Sequence, residues 1–236
     1  MVDGLAREET LTSARLQEGL NTFGYAETGP VLSEAECDAL SALYDQDKGF
    51  RSHVVMKRHG FGEGEYKYFA HPLPEPIARL RAAFYPLLVP IANEWAERMG
   101  LDIRYPPTLE DMLARCHAAG QERPTPLLLK YGPGDYNCLH QDLYGEHAFP
   151  IQVAVLLSAP GEDFEGGEFV LTEQRPRMQS KAEIVPLRKG YGVAFAVSQR
   201  PKRGTRGDYR VTHRHGVSRV RSGSRFTTGI IFHDAA

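Results

Sequence analysis

The amino-acid sequence predicts an α+β fold, in which N-terminal helices support a double-stranded β-helix core of the jelly-roll, cupin-like kind. After Arg123 the chain consists of short apolar runs separated by turn residues, without helical periodicity between them, which is typical of jelly rolls. Before that point, apolar residues recur at the spacing of amphipathic helices. We therefore expect a single domain, residues 1–236, with a mainly helical support region (1–122) and a jelly-roll core that carries the functional residues (123–236).

Helix signals dominate the first half of the chain. Ser33 followed by Glu36 forms a capping box, and apolar residues then recur three and four positions apart. Residues 49–69 instead alternate in polarity around three glycines, which indicates a pair of strands. Helices are predicted over residues 5–23, 33–47, 74–99 and 108–116.

About eight short strands are predicted in the second half of the chain. One of them carries the stretch from Lys130 to Asp142, around which the core is organised. The others are bounded by glycine, proline or serine, which favour turns. These strands cover residues 127–131, 149–158, 168–172, 182–187, 191–197, 209–217 and 226–232.

Composition excludes several classes of protein. The chain is 42% hydrophobic and 25% charged, which is typical of a globular domain. No apolar run approaches the roughly 18 residues that span a bilayer, and the first residues lack a basic-then-apolar signal pattern. The three cysteines are odd in number and widely spaced, which argues against a disulfide framework. We expect a cytoplasmic protein that does not contact a membrane.

The triplet His140-Gln141-Asp142 carries the first chemical signal. Side chains two positions apart on an extended strand point to the same side, so the imidazole and the carboxylate can reach one ion. Two histidines and one carboxylate on one face of a metal, with the other positions open, are typical of non-haem Fe(II) sites. A second histidine is therefore needed, and His213 and His215 are both candidates.

The segment that follows these two histidines strengthens the interpretation. Arg225 stands ten residues after His215, across a serine-glycine turn signal and at the start of an apolar run. The planar fork of arginine matches a carboxylate, as the far end of a dicarboxylic acid would require. His213 and His215 face the same side of a strand, so orientation does not separate them, but the spacing to Arg225 favours His215.

Together these residues resemble the Fe(II)/2-oxoglutarate-dependent dioxygenases. The pattern H-x-x-x-x-V-x-x-G-x-R, from His215 to Arg225, is similar to the distal motif of the prolyl-hydroxylase-like branch. The pattern Y-x-P-G, with H-Q-D nine residues after Tyr131, is closer to the oxidative demethylases that repair alkylated nucleic acids. The whole stretch from Tyr131 onward resembles a bacterial branch of these oxygenases that is suspected of acting on nucleic acid.

The resemblance implies a metal centre. His140, Asp142 and His215 would bind Fe(II) and leave positions for 2-oxoglutarate and O2. His53 and His59 have no carboxylate neighbour at a suitable spacing, so we predict surface or substrate-loop roles for them.

It also implies a pocket for the co-substrate. Arg225 would hold the distal carboxylate of 2-oxoglutarate, with help from the hydroxyl of Tyr131. Thr227, two residues after Arg225 on the same strand face, is a further candidate contact. Leu129 stands where the repair demethylases carry asparagine, so the group that holds the other carboxylate is left open.

Charge is distributed unevenly along the chain. The net charge is only -2, which argues against a general binder of polyanions. Between Arg175 and Arg225, however, fourteen basic residues stand against two acidic ones. The densest part, residues 200–210, is predicted to be a flexible hairpin or loop beside the mouth of the site, with a solvated face as the alternative. The basic residues that could hold phosphates there are Arg200, Lys202, Arg203 and Arg206.

The substrate is predicted from this charge and from nearby aromatic residues. Tyr136, Tyr144 and Tyr209 could line the mouth and stack an unpaired base, or equally hold a proline ring. We expect a dioxygenase that couples decarboxylation of 2-oxoglutarate to succinate with hydroxylation or oxidative demethylation, with single-stranded or damaged nucleic acid as the leading substrate. The alternatives are a prolyl or other protein-residue hydroxylase and, in a different class, a non-catalytic cupin-like binding or sensing module.

Overall fold

The computed structural model describes residues 11–46, 48–143 and 145–236. Two short 3-10 helices lie at Leu43–Asp45 and Met56–His59. The α-helices are α1 (Ser13–Phe23), α2 (Glu34–Ala42), α3 (Glu75–Arg98) and α4 (Leu109–Ala118).

The strands lie in two blocks, one before α3 and one after α4. The first block contains β1 (Tyr25–Pro30), β2 (Phe50–Val55), β3 (Gly62–Glu63) and β4 (Glu65–Phe69). The second block contains β5 (Leu127–Tyr131), β6 (Tyr136–His140), β7 (Ile151–Leu156), β8 (Phe164–Gly166), β9 (Phe169–Gln174), β10 (Lys181–Val185), β11 (Tyr191–Ala196), β12 (Gln199–Gly204), β13 (Gly207–Val217), β14 (Val220–Gly223) and β15 (Arg225–Ile230).

These strands form a double-stranded β-helix, as predicted. The major sheet has seven strands in the order β1-β11-β7-β15-β5-β4-β2. The minor sheet has the order β10-β9-β13-β6-β3, with β12 also paired to β13, and β14 and β8 form a separate pair. Neighbouring strands in both sheets are antiparallel.

The major sheet is covered on one face and lines a cavity with the other. Along β7, Ile151, Val153 and Val155 belong to the same apolar cluster as the buried residues of α1 and α3. The alternate residues point the opposite way, since successive side chains on a strand alternate between faces. Ala154 and Leu156 accordingly belong to the two smaller clusters that surround the cavity. The helices therefore support the sheet from outside and leave its inner face for the site.

The C-terminal residues are tied to α3 by a buried network. The Arg81 guanidinium donates to the carbonyl oxygens of Ile231 and His233 and to Asp234 Oδ1, 2.7 Å away. Arg81 and Asp234 are both buried. Removing one member of a buried ion pair leaves the other charge buried without a partner, which is energetically costly. This network therefore holds the end of the chain against the helical layer.

The helix predictions are confirmed within the described residues: α1, α2 and α3 are shorter than predicted, and α4 extends two residues further, to Ala118. The Ser33–Glu36 capping box is present. The helix predicted over 5–23 begins at Ser13, after the Thr12 cap, and residues 5–10 and 47 of the predictions lie outside the described part. The strand β1 was missed because its sequence, Y-A-E-T-G-P, has no clean alternation of polar and apolar residues. Within the described chain, no helix is long and apolar enough to cross a membrane.

Candidate active site

Three potential metal ligands converge at one end of the cavity. His140, Asp142 and His215 each offer one ligand atom, and these atoms lie within 4.8 Å of one another. Each imidazole Nε2 is 3.4 Å from an oxygen of Asp142. Two imidazole nitrogens and one carboxylate on one side of a shared point are the donors that an open Fe(II) site uses. The residues present therefore fit the metal that the sequence implies.

Strand pairing brings these side chains together. His215 on β13 stands directly opposite His140 on β6, and the two rings are 4.2 Å apart between centroids. Asp142 does not lie on the strand as expected, because β6 ends at His140. The carboxylate reaches the histidines from the residues just past the strand end.

Local interactions set the orientation and the charge of His140, Asp142 and His215. His140 Nδ1 lies 2.8 Å from the Cys138 carbonyl oxygen, which orients the ring so that Nε2 faces Asp142. Burial alone would raise the pKa of Asp142, but hydrogen bonds and charge from the two histidines hold it well below its usual value. Burial lowers the pKa of His215. At neutral pH the site therefore offers a carboxylate and a neutral imidazole on β13.

His213, the competing candidate, occupies different surroundings. It is buried, and its Nε2 accepts a hydrogen bond of 3.0 Å from Arg200 Nε. Burial and the charge of Arg200 lower its pKa to about 4. A guanidinium at this nitrogen occupies the lone pair that a metal would need, so the geometry favours His215 as the ligand.

Arg225 lies deep in the cavity with unused donors. It is 1% exposed, donates to Thr227 Oγ1, and lies 5.5 Å from the Tyr131 ring centroid. Its Nε has no acceptor, and no carboxylate of the described residues pairs with it within 4.0 Å. Burial lowers the pKa of Arg225 to about 10, so it remains cationic at neutral pH. A buried guanidinium with a free donor fits the distal carboxylate of 2-oxoglutarate.

The groups around Arg225 are neutral. Burial raises the pKa of Tyr131 to about 12, which leaves its hydroxyl protonated. Asn137 Nδ2 lies 3.4 Å from that hydroxyl, and Leu129 and Thr227 also line the cavity. Asn137 is a polar residue that the sequence interpretation did not single out. It contacts Tyr131, which lies two residues after Leu129, the residue that stands where the repair demethylases carry asparagine.

The cavity has a volume of about 400 Å³ and runs between the two sheets. Its walls carry aromatic and polar side chains that the motifs did not reveal, because distant strands contribute them. Phe195 lies 4.6 Å from the His215 ring, and Tyr66 and Tyr68 meet edge to face. The other lining residues that the motifs missed include Phe61, Leu139, Gln152, Phe169, Gly229 and Ile231.

Two of the three aromatic residues predicted at the mouth lie elsewhere. Tyr136 packs under Arg219, whose guanidinium carbon is 5.2 Å from the ring centroid. Tyr209 packs against Gly204 within the β12–β13 hairpin. Neither is among the residues that line the cavity. Tyr144 lies outside the described residues.

The basic segment 200–210 is a hairpin but does not lie beside the cavity. Its turn is eight residues from His215 along β13, a distance of roughly 26 Å in an extended strand. Arg200 is fully buried and paired with Glu173, which also holds Lys202 at 2.9 Å. The prediction that Arg200 holds a phosphate at the mouth is wrong, because its side chain is fully buried, and Lys202 shares the Glu173 carboxylate with Arg200 and Arg175. Arg203 and Arg206 remain exposed at the far turn.

Comparison with known families decides the class of the protein. The Oxygenase-NA family model, described as an oxygenase catalysing oxidative methylation of damaged DNA, matches residues 64–235. The chain belongs to this family. Two Mycobacterium tuberculosis proteins, both described as uncharacterised, are 52% identical to it over 168 residues, which cover 71% of this chain and 72% of each relative.

Solved structures agree on the fold. A prolyl-4-hydroxylase of Pseudomonas putida aligns with a TM-score of 0.56 at 15% identity, covering 95% of this chain and all of the other. A 2OG-Fe(II) oxygenase family oxidoreductase of Burkholderia pseudomallei gives 0.53 at 14% identity, covering 95% and 92%. This Oxygenase-NA member is therefore an oxygenase, and hence an oxidoreductase, with the double-stranded β-helix fold of these solved structures. The alternative of a non-catalytic module is set aside.

Proposed function

We propose that the enzyme removes N-alkyl groups from damaged bases of single-stranded nucleic acid. The observation that carries this proposal is a triad of His140, Asp142 and His215 at one end of an aromatic-lined cavity, in a chain whose family is described as acting on damaged DNA. The three residues would hold Fe(II). Arg225, Tyr131 and Thr227 would hold 2-oxoglutarate at the deeper end.

The protein's own groups orient the reactants. Bound Fe(II), 2-oxoglutarate and O2 supply the oxidation of a carbon–hydrogen bond. Arg225 attracts one carboxylate into a dry pocket, where an ion pair is stronger than in water, and the Tyr131 hydroxyl donates beside it. Asp142 stays ionised and supplies one negative charge to the metal centre. The apolar walls exclude water from the reacting carbon.

The proposed reaction balances without a further reductant. One oxygen atom of O2 enters a carbon–hydrogen bond of the N-methyl group, and the other enters succinate while 2-oxoglutarate loses CO2. The resulting N-hydroxymethyl group then breaks its carbon–nitrogen bond. Formaldehyde leaves, and the base recovers its unmodified ring nitrogen.

The rim of the cavity offers a surface for a nucleic-acid strand. Phe61 and Leu139 line the cavity yet remain 46% and 47% exposed. His59 stacks on Phe61 with 5.3 Å between ring centroids, and the exposed Lys57 and Arg58 lie in the same 3-10 turn. Bases stack on such rings, and basic side chains attract phosphates. We expect this turn to take the role that sequence reasoning gave to the basic hairpin.

Gly62 fixes this turn to the metal-bearing strand. It has a positive φ of 129°, and a Cβ there would lie 2.4 Å from the Tyr136 carbonyl oxygen. The close approach lets Cys138 N donate to Phe61 O at 2.9 Å. Only glycine allows this contact without displacing the backbone, so the turn and the strand of His140 are joined.

The test is a turnover assay with short single-stranded oligonucleotides, each carrying one N-methylated base. We expect release of formaldehyde and succinate in equal amounts, with Fe(II), 2-oxoglutarate and O2 all required. An unmethylated oligonucleotide of the same sequence is the control and should give only slow, uncoupled succinate formation. Equal succinate formation with both oligonucleotides and no formaldehyde would contradict the proposal.

Hydroxylation of a protein residue is the second candidate. The similarity to prolyl hydroxylases favours it, including one from Trichoplax adhaerens in complex with a hypoxia inducible factor peptide fragment, with a TM-score of 0.54 at 14% identity, covering 93% of this chain and 88% of that one. The apolar rim could also hold a proline ring. A panel of proline-containing peptides in the same assay would identify this activity as a mass gain of one oxygen atom on the peptide, without formaldehyde.

A further inference from the structure

Gln152 is a buried amide without a partner. It lies on β7, is 4% exposed, and lines the cavity. Its Nε2 makes no hydrogen bond to any residue that the structure describes. Its neighbours along the strand, Ile151 and Val153, pack against the helical layer, so the amide points inward. A buried amide usually finds a partner, and one left over inside a cavity indicates a ligand group.

The amide lies on the substrate side of the metal centre. Gln152 is directly opposite Phe195 on β11, and the Phe195 ring is 4.6 Å from the His215 ring. The co-substrate end is at the level of Leu156, which pairs with Thr227. Leu156 lies four positions after Gln152, roughly 13 Å along the strand. The amide is therefore close to the metal centre but distant from Arg225 and its expected carboxylate.

The floor between these two levels is apolar. Ala154 pairs with Gly229, and Gly229 pairs with Leu127. A Cβ at Gly229 would lie 2.7 Å from Leu127 Cδ2, so this strand position remains without a side chain. Tyr68, opposite Leu127 on the next strand, completes the row. The floor beside the amide is therefore apolar, with the Leu127 side chain lying over Gly229.

We infer that Gln152 determines specificity by donating a hydrogen bond from Nε2 to a carbonyl oxygen of the alkylated base, an inference that rests on the proposed function. The Nε2 group left without a partner donates two hydrogen bonds and accepts none, whereas the Oε1 atom of the same side chain accepts. The substrate class is thus an N-methylated base with a carbonyl beside the methylated nitrogen. 3-Methylcytosine satisfies this condition, whereas 1-methyladenine has no carbonyl.

The experiment compares the wild-type enzyme with Gln152→Met and Gln152→Glu. Methionine keeps the volume without a donor, and an ionised glutamate keeps the shape and only accepts. Gln199→Leu, an exposed position on β12 outside the cavity, is the matched control. The probes are single-stranded oligonucleotides with one 3-methylcytosine or one 1-methyladenine, and thermal unfolding confirms that each variant is folded. Formaldehyde release gives kcat/KM for each probe.

We expect both Gln152 variants to lose roughly 10- to 100-fold in kcat/KM for 3-methylcytosine, the usual consequence of losing one buried substrate hydrogen bond. The value for 1-methyladenine should change by less than about threefold, as should every value for Gln199→Leu. An equal loss of kcat/KM with both probes would overturn this inference but not the proposed function. So would a raised KM for 2-oxoglutarate with an unchanged KM for 3-methylcytosine. Failure of the wild-type enzyme to act on either probe would overturn the proposed function and this inference with it.

Discussion

Two buried histidines, two positions apart on β13, have opposite electrostatic surroundings. His215 faces the Asp142 carboxylate, whereas His213 accepts a hydrogen bond from Arg200. We therefore predict that His215→Ala abolishes stoichiometric binding of Fe(II), because one ligand of three is lost. His213→Ala should retain it, with a change in affinity of no more than about 10- to 100-fold through packing near the site.

Anaerobic titration with Fe(II) measures both affinities. Circular dichroism of each variant confirms that the fold is retained. The reverse order, with tight binding by His215→Ala and none by His213→Ala, would assign the ligand to His213.

Arg225 supports a second prediction about a single side chain. Lysine in its place keeps the charge but cannot form the planar two-point contact with a carboxylate. Arg225→Lys should therefore raise the KM for 2-oxoglutarate by roughly 10- to 100-fold, the consequence of losing about 1.5–3 kcal/mol of a charged hydrogen bond. Succinate formation without added substrate, as a function of 2-oxoglutarate concentration, gives this KM.

The matched control is Arg221→Lys. Arg221 is exposed, and its guanidinium lies 3.8 Å from Glu168 on the surface. An unchanged KM for Arg225→Lys, or an equal rise in both variants, would remove Arg225 from the co-substrate pocket.

The sequence predicted these motif residues because spacing along a strand is a local property. His140 and Asp142 are two residues apart, and Arg225 follows His215 within one strand–turn–strand unit. Gln152, Tyr68 and the other wall residues were not predicted. Their place in the cavity depends on pairing between strands that are far apart in the chain, for which the sequence carries no periodic signal.

At the scale of elements, two basic segments differ in their relation to the cavity. The 3-10 turn with Lys57 and Arg58 adjoins the rim, whereas Arg203 and Arg206 lie at the far turn of the β12–β13 hairpin. The double variant Lys57→Gln/Arg58→Gln should flatten the dependence of DNA affinity on salt. The slope of log affinity against log salt concentration should change by about 1.4, since each phosphate contact with a single strand contributes about 0.7.

Fluorescence anisotropy with a single-stranded oligonucleotide at several salt concentrations gives the slope. Arg203→Gln/Arg206→Gln removes the same charge and is the control, for which we expect a change below about 0.3. A larger change in slope for Arg203→Gln/Arg206→Gln than for Lys57→Gln/Arg58→Gln would instead assign the nucleic-acid contact to the β12–β13 hairpin.

Helices were the most predictable elements, because their caps lie next to them in the sequence. Ser33 and Thr108 both cap a helix through their hydroxyl groups. The strand β12 was harder to predict, since its Q-R-P-K-R-G sequence resembles an exposed loop. Arg200 is buried there because Glu173, from β9, neutralises it. Composition alone cannot distinguish a paired, buried arginine from a solvated one.

For the whole molecule, His233 makes stability depend on pH. Burial and the charge of Arg81 lower its pKa to about 4, below the value of about 6.5 in an unfolded chain. The unfolded state therefore binds more protons between these values, and stability is lost as pH falls from about 6.5 to about 4. At pH 5 this group should reduce the free energy of unfolding by about 2 kcal/mol relative to pH 7.5.

His233→Asn tests this contribution. The Asn Oδ1 can still accept the hydrogen bond that Phe149 N donates to His233 Nδ1 at 3.1 Å, but it does not titrate. Urea unfolding of both proteins at pH 7.5 and pH 5 gives the four free energies. An equal decrease in the free energy of unfolding from pH 7.5 to pH 5 in the wild-type protein and the variant would show that His233 does not cause the pH dependence.

The N-terminal region completes both sheets, which leads to a prediction about domain structure. Strand β4 pairs with β5 in the major sheet, β3 pairs with β6 in the minor one, and Arg81 neutralises the buried Asp234. Residues 123–236 alone would expose the outer face of the major sheet and leave Asp234 buried without its partner, a change that costs about 3–5 kcal/mol for the ion pair alone. That loss is comparable to the whole stability of a small domain.

We therefore propose that residues 1–236 fold as one unit. In calorimetry, we expect a single unfolding transition for the full chain and no cooperative transition for the fragment 123–236. A fragment that unfolds cooperatively would establish the jelly-roll core as an independent domain.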